Sequence, residues 1–138
     1  MRYVFPAVIS LFICACSTTS AAPPAGAGDA LVGSEWRLED LLGGGIIDRS
    51  HVTLTLAEDG AAAGSGGCNR YFGRWTQPAP GKLSLGKMGS TRMACAPSLM
   101  QQENKFLRAL ETAHGYSFTG DGALVVTTTQ GTLKFRKD

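Results

Sequence analysis

The sequence predicts a mainly β, α+β domain: an antiparallel meander curled around one helix or closed as a small barrel. Three observations predict it. Apolar and polar residues alternate in short runs, which is the period of a half-buried strand. The 18 glycines supply turn signals between those runs. A single stretch, 99–113, carries a helical apolar stripe instead, and short connections between the runs favour antiparallel neighbours.

The elements follow in order. Residues 34–40 alternate, with Trp36 and Leu38 on one side and Glu35, Arg37 and Glu39 on the other. Gly43-Gly44-Gly45 breaks that run. Residues 51–57 repeat the pattern with Val52, Leu54 and Leu56 inward and Thr53 and Thr55 outward. Glu58-Asp59-Gly60 is a turn signal. Residues 68–77 carry Tyr71, Phe72 and Trp75, Gln77-Pro78-Ala79-Pro80-Gly81 reads as a loop, and 82–85 starts another strand. The helix holds Leu99, Met100, Phe106, Leu107, Leu110 and Ala113 on its stripe. Ser98 and Gln101 have capping-box spacing, and Gly115 suits its end. The remaining face takes Gln101, Gln102, Asn104, Lys105 and Arg108. Residues 116–118, 124–129 and 132–136 return to strands, separated by Gly120-Asp121-Gly122 and Gln130-Gly131. The expected count is seven or eight strands and one helix.

The N-terminus speaks to location. Arg2 precedes an apolar run over 3–13, and Ile13-Cys14-Ala15-Cys16 closes it. This run is too short to span a bilayer as a mature helix. It resembles the bacterial lipoprotein signal, in which Ile13 and Ala15 fit the positions before an acylated Cys16. Ile13 is too large to precede a cleaved bond at Cys14. A plain secretory signal cut after Ser20-Ala21-Ala22 and an uncleaved anchor are the alternatives. The organisation expected is therefore a signal peptide over 1–15, a lipidated Cys16 with a tether over 16–30, and one domain over 31–138. The tether, rich in Ser, Ala, Gly and Pro, cannot bury enough apolar surface to offset its ordering entropy. The location expected is the cell envelope, membrane-bound through the lipid, with Ser17 pointing to the outer membrane in enteric-type sorting. A balance of 13 Lys+Arg against 11 Asp+Glu, without a basic run, excludes a nucleic-acid partner.

Candidate sites divide as follows. Cys68 and Cys95 form an even pair in an oxidising compartment, which reads first as a disulfide. Closing that loop of about 27 residues would contribute roughly 3–4 kcal/mol. Two buried free thiols and a reactive thiol are the other readings. Adding His51 and His114 to the cysteines writes down a zinc set, but without the paired near neighbours such sites show. Met88, Met93 and Met100 suit core filling better than copper. Gly64-Ser65-Gly66-Gly67 is followed by strand-like sequence, so it fits a bulge or close packing better than a phosphate cradle. The Asn69 amide is expected to bind nearby backbone and fix a turn. No nucleophile motif accompanies the serines. The chain is thus read as no enzyme, with no cofactor and no metal.

Several segments resemble one known family. They are Trp36-Arg37-Leu38, Gly66-Gly67-Cys68-Asn69-Arg70-Tyr71-Phe72-Gly73, Thr91-Arg92-Met93-Ala94-Cys95, and Glu103 with Phe106 and Leu110. Leu124-Val125-Val126 and Leu133-Lys134-Phe135 complete the set. Together they resemble the META domain, or HslJ-like, family across nearly all of 31–138. The resemblance implies a compact lipocalin-like half-barrel or barrel with a helix packed across one opening. It also implies an association with heat inducibility and antibiotic resistance, and no established catalytic residues. The expected function is a non-catalytic envelope lipoprotein supporting stress or antibiotic tolerance through contacts with an envelope protein. A carrier or sensor of a lipid or small apolar ligand is the rival, with Trp36, Phe72, Trp75, Phe106, Tyr116, Phe118 and Phe135 available to line or fill the interior. A small β-barrel protease inhibitor is a third reading.

Overall fold

The computed structural model describes residues 30–138. The expected signal peptide, Cys16 and the tether up to residue 29 lie outside the described residues. Among the described residues, no helix is long and apolar enough to cross a membrane.

Among the described residues nine strands form: β1(Glu35–Leu41), β2(Thr53–Leu56), β3(Ala61–Ser65), β4(Arg70–Thr76), β5(Ser84–Leu85), β6(Gly89–Ser90), β7(Ala113–Phe118), β8(Leu124–Thr128) and β9(Gly131–Lys137). A 14-residue helix, α1(Pro97–Leu110), precedes β7. The strand order is β5-β4-β3-β2-β1-β9-β8-β7, with β6 beside β4, and every named strand pairing is antiparallel. Because β9 returns to pair with β1, the meander closes on itself. The two ends of the order, β5 and β7, meet beside the Gly81 carbonyl, which accepts the Tyr116 amide at 3.0 Å. The result is a nearly closed barrel with a helix, which bears out the predicted class.

The interior is filled by side chains. Leu38, Leu54, Tyr71, Phe106, Leu124, Leu133 and Phe135 are all fully buried. A register shift between Leu38 and Asp40 inserts an extra residue in β1, so Leu41 turns inward although simple alternation would turn it out. Asp40 then accepts the Gly43 and Gly45 amides at 2.7 and 2.9 Å, fixing the triple-glycine turn.

Tyr71 crosses β3 to donate its hydroxyl to the Thr53 carbonyl at 2.5 Å. This path needs a glycine: a Cβ on Gly64 would lie 2.1 Å from that carbonyl oxygen and 2.9 Å from the phenol. Burial pushes the Tyr71 phenol above its usual range. A raised folded pKa means stability that is intact below the unfolded value and lost as pH rises beyond it. Urea midpoints are therefore expected to fall above about pH 10. Tyr71→Phe should remove that component and cost about 1–2 kcal/mol at neutral pH by orphaning the carbonyl. An alkaline limb unchanged in Tyr71→Phe would reject this account.

Four local expectations are corrected. Pro97 starts the helix, with Ala96 as N-cap and no side-chain cap bond, so the Ser98–Gln101 box does not form. Proline presets the helical φ at the first position and moves the start two residues earlier, from Leu99 to Pro97. The helix ends at Leu110, and Gly115 and His114 belong to β7, where a Cβ on Gly115 would approach the Gly81 carbonyl to 3.3 Å. Gln102 is buried and Leu107 only partly so, because the helix turns Gln102, Glu103 and Phe106 toward the barrel. Phe72 is 60% exposed: it follows Tyr71 in a strand, and neighbours in a strand face opposite sides.

Candidate functional site

The helix lies over the barrel end where the β1–β2, β3–β4 and β8–β9 connections gather, and there the motif residues converge. Gly66, Gly67, Cys68 and Asn69 form the β3–β4 turn, closed by the Gly66 amide on the Asn69 carbonyl at 2.7 Å. Gly67 has φ +104, and a Cβ on Gly66 would sit 2.5 Å from a Glu103 carboxylate oxygen. Both glycines are therefore required for this turn to wrap a side chain from the helix.

Glu103 is 5% exposed. Its Oε2 accepts the Cys68 and Asn69 amides at 3.1 and 2.6 Å, and its Oε1 accepts Asn69 Nδ2 at 2.8 Å. The other end of the Asn69 amide faces the segment after β6: Oδ1 accepts the Thr91 hydroxyl at 3.1 Å and the Met93 amide at 2.6 Å. Thr91 Oγ1 also accepts the Arg70 amide at 3.2 Å. Cys68 is joined to Cys95 by a disulfide, across a separation of 27 residues. Gln102 completes the tie on the other flank, accepting the Ile47 amide at 2.7 Å and donating to Ser50 Oγ at 2.8 Å. One carboxylate and one amide thus fasten the helix, the β3–β4 turn and residues 91–95 together.

The glycine-rich turn does cradle an anion, but the anion is the chain's own Glu103. The Asn69 side-chain amide does not bind the backbone of its own turn as expected: the Asn69 backbone carbonyl closes the turn, and the side chain bridges Glu103 to the Thr91–Met93 segment instead. The Glu103–Asn69 pair, 34 residues apart, was missed by local reasoning. A signal existed: Glu103 and Phe106 share a helix face three residues apart, and a charge on a buried face demands a partner.

The remaining motif residues sit elsewhere. Phe106 enters the barrel against Tyr71 and Phe135. Gly73 lies under Met88, whose sulfur a Cβ would meet at 2.5 Å. Trp36 closes the opposite barrel end, donating Nε1 to the Leu31 carbonyl at 3.1 Å and packing on Phe118. The disulfide uses both sulfurs of the zinc set considered above, while His114 lies exposed on β7. Among the described residues no group of three or more His, Cys, Asp or Glu could hold a metal ion.

The disulfide joins two of the three segments that the hydrogen-bonded latch fastens, the β3–β4 turn and residues 91–95. Replacing Cys68 and Cys95 together by serine is expected to lower stability by about 3 kcal/mol while leaving the barrel folded. Denaturant titration checks the loss. Capture of two alkyl groups by the unreduced, denatured protein would show that the bridge is absent.

A model of the META domain matches residues 29–138. No curated protein matches the chain. Among solved structures, an NMR structure of a protein from Burkholderia xenovorans is 28% identical, covering 88% of this chain and 96% of that one, with a TM-score of 0.64. A second NMR structure is 25% identical, covering 78% and 92%, with a TM-score of 0.63. A crystal structure of a DUF4847 family protein from Bacteroides vulgatus ATCC 8482 is similar in fold, at 15% identity over 80% and 96% of the chains and a TM-score of 0.57.

Proposed function

This chain belongs to the META domain family, its match running over residues 29–138, and on that footing we propose that it is a non-catalytic envelope lipoprotein. It is anchored through Cys16, on the outer membrane facing the periplasm, and supports stress or antibiotic tolerance by contact with an envelope protein. The observation that carries this reading is the internal saturation of the motif. The Glu103 carboxylate, the Asn69 amide and both motif cysteines bond to one another or to backbone. A catalytic acid, base or nucleophile would instead need a free face within reach of a substrate. The filled interior supports contacts made on the outside over a ligand carried within.

The exposed apolar side chains favour the helix-capped end for such contacts. Ile47 lies in the β1–β2 connection, Met93 in the latch segment and Met100 on the helix, and all three are exposed. Met93 and Met100 thus do not fill the core as expected from the sequence but lie on the surface, where methionine suits an adaptable contact. Met93→Asp with Met100→Asp should abolish tolerance in cells that lack the native protein, while stability stays within about 0.5 kcal/mol. Cys16→Ser should release the protein from membranes, and Cys14→Ser should not. Full tolerance in the double aspartate variant would overturn the contact assignment. Labelled palmitate persisting in Cys16→Ser would overturn the anchor.

A further inference from the structure

The outer face of β1 to β4 has a shape that neither the core nor the latch accounts for. Its middle strands turn only small side chains outward, Thr53 and Thr55 on β2, and Ala61, Ala63 and Ser65 on β3. The flanking strands turn out long ones: Glu35 and Arg37 on β1, Arg70 and Phe72 on β4. Register aligns Glu35, Thr55, Ala63 and Phe72 in one row across the four strands. Arg37 pairs with Thr53 and Ser65 with Arg70 in the adjacent row. The product is an open trough of about 450 Å³ with Glu35 on one wall, Arg70 on the other, and His51 at its margin.

The hydrogen bonding of the floor is one-sided. Thr53 Oγ1 accepts the Ser65 amide at 3.1 Å, and Ser65 Oγ accepts the Gly67 amide at 3.2 Å. Each hydroxyl is thereby turned with its oxygen toward backbone, and neither O–H has an acceptor among the described residues. Neither Arg70 nor Glu35 is in an ion pair among the described residues. Arg37, by contrast, faces Asp138 at 3.8 Å. The trough therefore presents two hydroxyl donors and a free guanidinium toward one wall, and a free carboxylate on the other.

We propose that this trough binds a short peptide segment carrying both a carboxylate and an amine. The carboxylate lies against Arg70 with the Thr53 and Ser65 hydroxyls donating to it, and the amine faces Glu35. Charge complementarity selects this class. An inorganic anion or an acidic sugar would meet Glu35 unpaired, and a neutral sugar would leave both walls unpaired. The strand axes of β1 and β4 are three sheet spacings apart, roughly 14 Å, a gap narrowed by the inward reach of both walls and bridged by a few peptide residues. The small floor lets a peptide backbone come close. A free peptide and an exposed segment of a protein share this chemistry.

The test is an amide NMR titration of the full-length protein with the peptide Ala-Lys-Ala-Glu-Ala, once with free ends and once with both ends capped. Saturable shifts are expected at Thr53, Thr55, Ala63 and Ser65. Arg70→Gln, or a peptide with alanine in place of its glutamate, should weaken binding by about tenfold, and Glu35→Gln by severalfold. Both residues are exposed, so circular dichroism should show the fold intact. Equal binding of capped and free forms would assign the site to a segment of a protein, and preference for free ends to a free peptide. No saturation by about 5 mM, or an affinity indifferent to Arg70→Gln, overturns the proposal.

Discussion

Replacing Glu103 by alanine is expected to lower the stability of the domain by about 3–5 kcal/mol, the largest loss from any single polar side chain described here. The carboxylate holds three donors, two of them backbone amides of a turn that exists to wrap it. A buried donor left without an acceptor costs about 1–3 kcal/mol, and partial entry of water keeps the sum below three times that. Glu103→Gln retains one acceptor oxygen but turns an amide toward the remaining donors, so about half the loss is expected. Denaturant midpoints at constant slope measure both. Asn69→Ala should cost less than its own bonds suggest when Glu103 is already absent, because the two side chains serve one network. A loss below about 1 kcal/mol in Glu103→Ala would mean that the latch is decorative and that the motif is retained for another reason.

That latch also marks how far the sequence could be read. Most strands were legible because each has one face inside and one outside, and alternation records this directly, as in Trp36 and Leu38 against Glu35 and Arg37. Two were not expected: β3, whose alanines, Gly64 and Ser65 carry no apolar contrast, and the two-residue β6. The helix was legible for the same reason at its own period. Closure of the barrel was not, since it depends on β9 pairing with β1, a contact between opposite ends of the domain that no local pattern encodes. Phe72 was misjudged because composition ranks an aromatic as core, whereas its register beside Tyr71 turns it outward over Gly89, where a Cβ would meet its ring at 2.7 Å. Cys68 and Cys95 were paired by counting, but their position at the junction of turn, helix and linker came only from the fold. Half of the trough, Thr53 and Thr55, was legible as outward residues of a strand, whereas Ala61, Ala63 and Ser65 were assigned no face until the register set them between longer walls.

Phe106→Ala is the second large effect expected, about 3–5 kcal/mol, and it bears on whether the interior is solid. Phe106 is fully buried. Its ring centroid lies 5.6 Å from Tyr71 at 68° and 6.4 Å from Phe135 at 66°, so both contacts are edge-on. Truncation removes the transfer contribution of the ring and both aromatic contacts, and it leaves a cavity that strands held by their ladders cannot fully close. Phe106→Leu, which keeps most of the volume, should cost only about 1–1.5 kcal/mol. An apolar cavity of that size stays dry and takes up small aromatic molecules. A small aromatic such as benzene should therefore raise the melting temperature of Phe106→Ala and leave the native protein unmoved. If the native protein is itself stabilised by it, space for an apolar guest already exists beside Phe106, and the carrier reading displaces the contact reading.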